Sequence, residues 1–327
     1  MKKFILTTLI LLPMFVSAQT TEFKRPKITG IAHIGLYTDD LQIAADLFTD
    51  YLGYGEPYYV TRNSGERRGA SQGPNMMFIK INDRQYVEFF KDDQNRLVKY
   101  RHTAFETDDV EAMRLYLNSK GVVVPDKVSD TGFGFKAFFC KDFNGHEIEF
   151  VEYTGDGFIG EMKGKNMPDT RISEIFRHVG WICPDSAKDI AFYGYILGCT
   201  EFWRGGEKPD QINWIKMRLP DSTDYIELML FDHDLDQEEL GLYNHMDIDM
   251  DSVQAAKQIL DTRKLPKGCR PVQNQSTGVC GYGLSNVFLP DGTRVELMTK
   301  IAVGGTPSPS TYGTPLRYDG DMEHLLK

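Results

Sequence analysis

Two stretches of the chain, 28–153 and 174–300, carry the same alternation of apolar and polar positions. Each opens on a β-branched, mostly apolar run holding one His: Gly30-Ile31-Ala32-His33-Ile34-Gly35-Leu36 and Phe176-Arg177-His178-Val179-Gly180-Trp181-Ile182. Such runs predict strands. Acidic residues follow, Asp39-Asp40 and Asp185, and predict the start of an amphipathic helix. Gly53 and Gly198 sit where a helix C-cap is needed. Further strands hold Tyr86-Val87-Glu88-Phe89-Phe90 and Tyr225-Ile226-Glu227-Leu228-Met229. A second His strand comes next in each stretch, around His102 and His245, and then a second helix, 110–120 and 253–264. Each stretch closes on a hairpin with a predicted two-residue turn, Asn144-Gly145 before Ile148-Glu149-Phe150 and Asp291-Gly292 before Val295-Glu296-Leu297.

The separations between corresponding residues are 145 for the first His, 139 for the first Glu, 143 for the second His and 147 for the last Glu. A period this long means a duplicated domain and not a solenoid repeat. Each copy divides again into two strand–helix–strands halves. Segment 154–173, with four Gly and one Pro, reads as the linker. Segment 301–327, with Pro307, Pro309 and Pro315, reads as a loose tail without its own core.

The amino terminus stands apart from this plan. Lys2 and Lys3 precede an apolar run over 4–16, and Val16-Ser17-Ala18 offers small residues before Gln19. That pattern predicts a signal peptide over 1–18, too short to span a bilayer, and hence a secreted or periplasmic protein. No membrane association is expected once it is cleaved. The five cysteines contain no C-x-x-C pair and are expected to pack as small apolar groups. With 47 acidic and 37 basic residues, the 327-residue chain carries a formal charge of −10, which argues against nucleic acid as a partner.

The chemistry lies in a recurring order, His…Glu…His…Glu. Glu88, Glu149, Glu227 and Glu296 are each flanked by large apolar residues. Tyr86 and Phe90 share the face of Glu88 in a strand, so that carboxylate does not simply face water. A buried carboxylate must find a cation or strong donors. His33, His102, His178 and His245 occupy equally apolar strand positions. Two imidazoles and two carboxylates form an N2O2 set with room for further ligands, which suits a divalent first-row ion such as Zn, Ni, Fe, Mn or Co. His146, at the first hairpin, is expected to face solvent. Arg62 and Arg204 lie on comparable loops and are the basic residues expected to bind any anionic group of a substrate.

On these residues the chain resembles the vicinal oxygen chelate superfamily, which includes glyoxalase I, bleomycin and fosfomycin resistance proteins and extradiol ring-cleaving dioxygenases. The resemblance implies an α+β fold: two tandem modules, each of paired βαβββ units forming an open, cupped mixed sheet. It places metal ligands on the first, fourth, fifth and last strands, hence His33, Glu88, His102 and Glu149, and His178, Glu227, His245 and Glu296. It also implies a small-molecule substrate whose adjacent oxygens chelate the ion, with Glu149 or Glu296 as the catalytic proton carrier. In a glyoxalase-like pairing each site is shared between modules: His33 and Glu88 with His245 and Glu296, and His178 and Glu227 with His102 and Glu149. In a dioxygenase-like arrangement the ligands stay within one module as two His and one carboxylate. The first scheme uses Glu88 and Glu227 and is the one expected here. The resulting reading is an exported metal-dependent lyase or isomerase working through an enediolate. An Fe(II) ring-cleaving dioxygenase and a non-catalytic binding protein are the alternatives, as monomer or homodimer.

Overall fold

The computed structural model describes residues 23–60 and 75–311. The expected signal peptide, Arg62 and the end of the tail lie outside the described residues.

The first sheet contains β1 (Ile28–Thr38), β2 (Tyr58–Val60), β3 (Met76–Lys80), β4 (Tyr86–Lys91), β5 (Tyr100–Thr107), β6 (Ser129–Asp130), β7 (Phe135–Lys141) and β8 (Glu147–Tyr153). Its spatial order is β2-β3-β4-β1-β5-β8-β7-β6. The second sheet contains β9 (Ile175–Ile182), β10 (Thr200–Gly205), β11 (Trp214–Arg218), β12 (Tyr225–Met229), β13 (His245–Met250), β14 (Ser276–Thr277), β15 (Gly283–Phe288) and β16 (Arg294–Thr299). Its order, β10-β11-β12-β9-β13-β16-β15-β14, repeats the first strand for strand. In each sheet the two central strands, β1 and β5 or β9 and β13, run antiparallel, and each has a parallel neighbour, β4 and β8 or β12 and β16. The architecture is the expected α+β pair of mixed half-barrel sheets.

The helices form where acidic or hydroxyl caps were placed by the sequence. Asp40 accepts from the amides of Gln42 and Ile43 to open α1 (Leu41–Asp46), which runs on as a π-helical turn over Leu47–Tyr51. Asp109 caps α2 (Val110–Ser119). A short α3 (Gly157–Glu161) lies in the linker, and Asp185 caps α4 (Ser186–Asp189), followed by π-helical Ile190–Ile196. Two more helices, α5 (Gln237–Leu242) and α6 (Val253–Leu260), complete the second module. Gly53 and Gly198 end the first helix of each module at φ +81° and +76°, a conformation that costs glycine little.

Three expectations need correction. The closing connections are three-residue turns, not two-residue ones: Asp142 N donates to His146 O, and Leu289 N to Thr293 O. Gly145 and Gly292 supply the positive φ such turns require. The tail is not loose through residue 311, because Ser308 N and Thr311 N donate to the carbonyls of Cys280 and Arg204, and Trp203 Nε1 donates to Ser308 O. His146 does not face solvent. Its Nδ1 lies 2.8 Å from Asp142 Oδ2 and its Nε2 3.0 Å from the Ile182 carbonyl of the other module.

The modules share one apolar core. Val87, Phe105 and Phe150 of the first belong to the same buried cluster as Phe176, Trp181 and Leu228 of the second. The seam is also hydrogen-bonded: Gln85 Nε2 donates to Phe176 O at 2.6 Å, and Phe176 N returns to Gln85 Oε1 at 3.0 Å. All five cysteines are buried and free.

Candidate metal centres

Strand alternation sorts the residues of β1: Ile34 and Leu36 enter the helix-covered core, while His33 and Gly35 face the other way. His33 on β1, Glu88 on β4, His102 on β5 and Glu149 on β8 meet there. His33 Nε2 lies 3.1 Å from His102 Nε2 and 2.8 Å from Glu149 Oε2. Glu149 Oε2 is also 3.2 Å from His102 Nε2, and the two Glu88 oxygens are 3.5 and 3.6 Å from the two imidazoles. In the second module His178 and His245 bring their Nε2 atoms to 3.2 Å. Glu296 Oε2 lies 3.4 Å from His178 and 3.8 Å from His245, and Glu227 Oε2 3.4 Å from His245. All eight side chains are buried.

The expected sharing of sites between modules is therefore corrected: each cluster is assembled inside one module, with both carboxylates. The reason is topological. Each module already contains two βαβββ units, so the first strands of both units are neighbours at the sheet centre and the last strands flank them. No residue of the partner module is needed to close the quartet.

Close packing of the imidazoles requires the absence of a side chain beneath them. Gly35 pairs with His102 and Gly180 with His245. A Cβ on Gly35 would lie 2.3 Å from His102 Cε1, and one on Gly180 2.0 Å from His245 Cε1. These glycines were missed by the sequence reading, although His-x-Gly recurs at the same offset of 145 as the first His.

Burial dominates the electrostatics. Desolvation pushes Glu88 up to about 7, against the pull of His33. Desolvation acts on Glu149 too, but the charge of His33 and hydrogen bonds from both histidines outweigh it and hold that carboxyl low. His102 is pushed down to about 4 by burial. The donor chemistry fits a divalent first-row ion. In the first module imidazole nitrogens and carboxylate oxygens crowd one buried point. Among the described residues no Lys or Arg reaches either carboxylate, and His102 Nδ1 has no hydrogen-bond partner.

The second module differs. Lys216 Nζ is 3.1 Å from Glu227 Oε1, and Arg294 Nη2 donates to Glu296 Oε1 at 2.5 Å. Asp247 Oδ2 lies 3.2 Å from His178 Nδ1, a close charge contact without a well-aligned hydrogen bond. Such carboxylate–imidazole contacts orient metal-ligating histidines. Burial works to lower His178, but the close charges, that of Asp247 first and that of Glu227 with it, outweigh it and raise His178 to about 10. Glu296 is held well below the usual carboxylate range, burial being outweighed first by Arg294. A cavity of about 330 Å³ opens onto this site, lined among others by Trp203, Trp214, Lys216, Glu227, Arg294 and Glu296. Arg204, expected at the substrate, is not on that lining. Its guanidinium is paired with Glu201, with Nη2 donating to Oε2 at 2.6 Å. Lys216, Asp247 and Arg294 were not singled out from sequence because single charged residues in strands carry no local signal.

Comparison with known proteins agrees with this fold. Residues 30–150 match the family described as the Glyoxalase/Bleomycin resistance protein/Dioxygenase superfamily. The match covers the first module, and the second module repeats that module's topology strand for strand. The Mn(II)-bound glyoxalase from Novosphingobium aromaticivorans superposes with a TM-score of 0.63 at 17% identity, over 90% of this chain and 89% of that one. The 2,3-dioxygenase LapB from Pseudomonas sp. KL28 gives 0.62 at 15% identity, over 90% and 98%. Homoprotocatechuate 2,3-dioxygenase from Brevibacterium fuscum gives 0.60 at 14% identity, over 89% and 86%. No curated protein matches the chain significantly by sequence.

Proposed function

We propose that this chain is a metal-dependent lyase or isomerase of glyoxalase-like type, acting on a small substrate with vicinal oxygens through an enediolate. The observation that carries the reading is the convergence of two imidazoles and two carboxylates on one buried point, in each module. His33, Glu88, His102 and Glu149 would hold one ion, and His178, Glu227, His245 and Glu296 the other. A divalent ion bound there supplies Lewis acidity for negative charge developing on adjacent substrate oxygens. The carboxylates of Glu149 and Glu296, both held below the usual range, are ionised at neutral pH and are the groups that accept and return a carbon-bound proton. The cavity supports the second module as the place where substrate enters, with Glu296 at its wall.

A secreted or periplasmic location, supported by the leader-like residues before Gln19, makes a glutathione adduct a poor substrate, since glutathione buffers thiols in the cytosol. Small hydroxy-ketones and sugar-like compounds suit the chemistry. One feature favours a ring-cleaving dioxygenase as second reading: Lys216 engages Glu227, which leaves His178, His245 and Glu296 as a two-His, one-carboxylate face.

The deciding experiment follows exchange of substrate C–H hydrogen in D2O by NMR, with Mn(II)-loaded protein and dihydroxyacetone or glyceraldehyde. Exchange abolished in Glu296→Gln supports the isomerase. Oxygen uptake with catechols on Fe(II)-loaded protein, retained in Glu227→Gln, replaces it with the dioxygenase. An ion-loaded chain that does neither is a binding protein.

A further inference from the structure

The strand registers allow the two sites to be compared position by position, and they differ in a consistent direction. Opposite the fourth-strand glutamate, the first module has Phe78 and the second Lys216. Opposite the last-strand glutamate on the side of the fifth strand, Ala104 is matched by Asp247. On its other side, Phe139 is matched by Asn286. Opposite the second histidine, Glu147 is matched by Arg294. Four positions around one quartet have thus become polar or changed sign.

The replacements form a built site. Asn286 Oδ1 accepts from Arg294 Nε at 2.7 Å, and Arg294 Nη2 donates to Glu296, which fixes the guanidinium at the cavity wall. Lys216 is 5% exposed and is held by Glu227 Oε1 and Cys280 Sγ, the latter at 3.3 Å. Neither cation is used up. An ammonium has three N–H donors and a guanidinium five, so Lys216 keeps one and Arg294 keeps its Nη1 group. Around the corresponding positions of the first module the aromatic rings of Phe78, Phe133 and Phe158 pack together instead.

The donors give the ligand its sign. Lys216 and Arg294 both line the cavity. Their remaining N–H groups are cationic and donor-only, so they favour an anionic acceptor, and a carboxylate or phosphate accepts from both.

We infer that the second module's cavity takes a carboxylate-bearing small molecule, its carboxylate bound by the spare donors of Lys216 and Arg294 while its vicinal oxygens face the His178–His245 quartet. The inference rests on the reading of this module as a small-molecule metal site and adds the class of substrate.

The test uses the full chain loaded with Mn(II) and two matched pairs of probes: 3,4-dihydroxybenzoate against catechol, and pyruvate against hydroxyacetone. Quenching of Trp203 and Trp214, which line the cavity, reports binding, and elemental analysis reports the ion. The acids are expected to bind about tenfold or more tightly than their neutral partners. Lys216→Met and Arg294→Gln should each erase that preference with the ion count unchanged, and Lys216→Arg should restore it. Equal binding of acid and neutral probe, or a preference that survives both variants, overturns the inference but leaves the metal site standing. Failure of every probe to bind while two ions are present removes the small-molecule reading of this module as well.

Discussion

Gly35 lies directly beneath the His102 imidazole, so close that a methyl group in place of its hydrogen would meet the ring at 2.3 Å. Gly180 stands in the same relation to His245. Neither glycine has a left-handed backbone, so the requirement is for space and not for conformation. Gly180→Ala is expected to tilt His245 away from His178 and to cost the second module its ion while the first retains one. Gly35→Ala should do the reverse. Metal analysis of the two variants, each with circular dichroism to verify folding, checks this. An unchanged count in Gly180→Ala contradicts the proposed coordination by His245.

Because each quartet closes within its own module, the two sites should lose their ions independently. His102→Ala and His245→Ala are each expected to reduce two bound ions to one, and the double variant to none. The pair that separates this from a site shared between modules is His33→Ala with His102→Ala: it leaves one ion where both imidazoles serve one quartet, as their 3.1 Å approach indicates, and none where they serve two. Glu88→Gln added to His102→Ala gives the same division. Chelation should also lower stability, by about 2.7 kcal/mol if free ion had been at a hundred times its dissociation constant.

Much of this site was legible in the sequence because its signal is repetition. One His in an apolar strand is ordinary, but His33, Glu88, His102 and Glu149 recur in order as His178, Glu227, His245 and Glu296. The α+β architecture follows from the same duplication. Which strands become neighbours was not legible, since the register of β1 against β5 is set by long-range pairing. That gap produced the mistaken sharing of ligands between modules. Arg204 misled because a basic loop residue looks free until its partner, Glu201, is seen on the same strand. Lys216 and Arg294 went unnoticed because their importance lies in what the first module has at the matching places, Phe78 and Glu147.

Lys80 shows how the linker is held. It is 1% exposed, and its Nζ donates to Asp83 Oδ1 at 2.6 Å, to Lys165 O at 3.0 Å and to Met162 O. This ammonium ties the segment after α3 to β3. Lys80→Met should destabilise the protein by about 1–3 kcal/mol, since the part-buried carbonyls of Met162 and Lys165 lose a charged donor while water takes over at the half-exposed Asp83. Urea unfolding measures the loss. A change under about 0.5 kcal/mol, the range of ordinary surface substitutions, contradicts the role given to Lys80.

The seam between modules carries a titratable latch. His146 accepts no hydrogen bond: its two nitrogens face Asp142 Oδ2 and the Ile182 carbonyl, both acceptors, so the arrangement is complete only for the imidazolium. Burial lowers its pKa, but the hydrogen bond to Asp142 and the charges of Asp142 and Asp189 win, and the native value lies above the ordinary 6.5. Burial, with the charge of Asp142, pushes nearby Asp189 up to about 6. The other polar groups at the latch, Tyr193 and Asn144, donate to Asp142 and Asp189 without titrating in this range. Both shifts act in the same direction. A base with a raised native pKa stabilises fully below its unfolded value and loses that contribution as pH rises through the native one. A buried acid with a raised pKa likewise costs stability as pH rises from 3.8 to about 6. The thermal midpoint should therefore fall as pH is raised from about 5 to about 8, each group contributing at most about 1.4 kcal/mol per pH unit. In His146→Gln, which stays neutral, the part of that slope above about pH 6.5 should disappear, and the variant should be less stable than the parent at pH 6 but not at pH 9. A slope in His146→Gln equal to that of the parent would show that the imidazolium does not hold the seam.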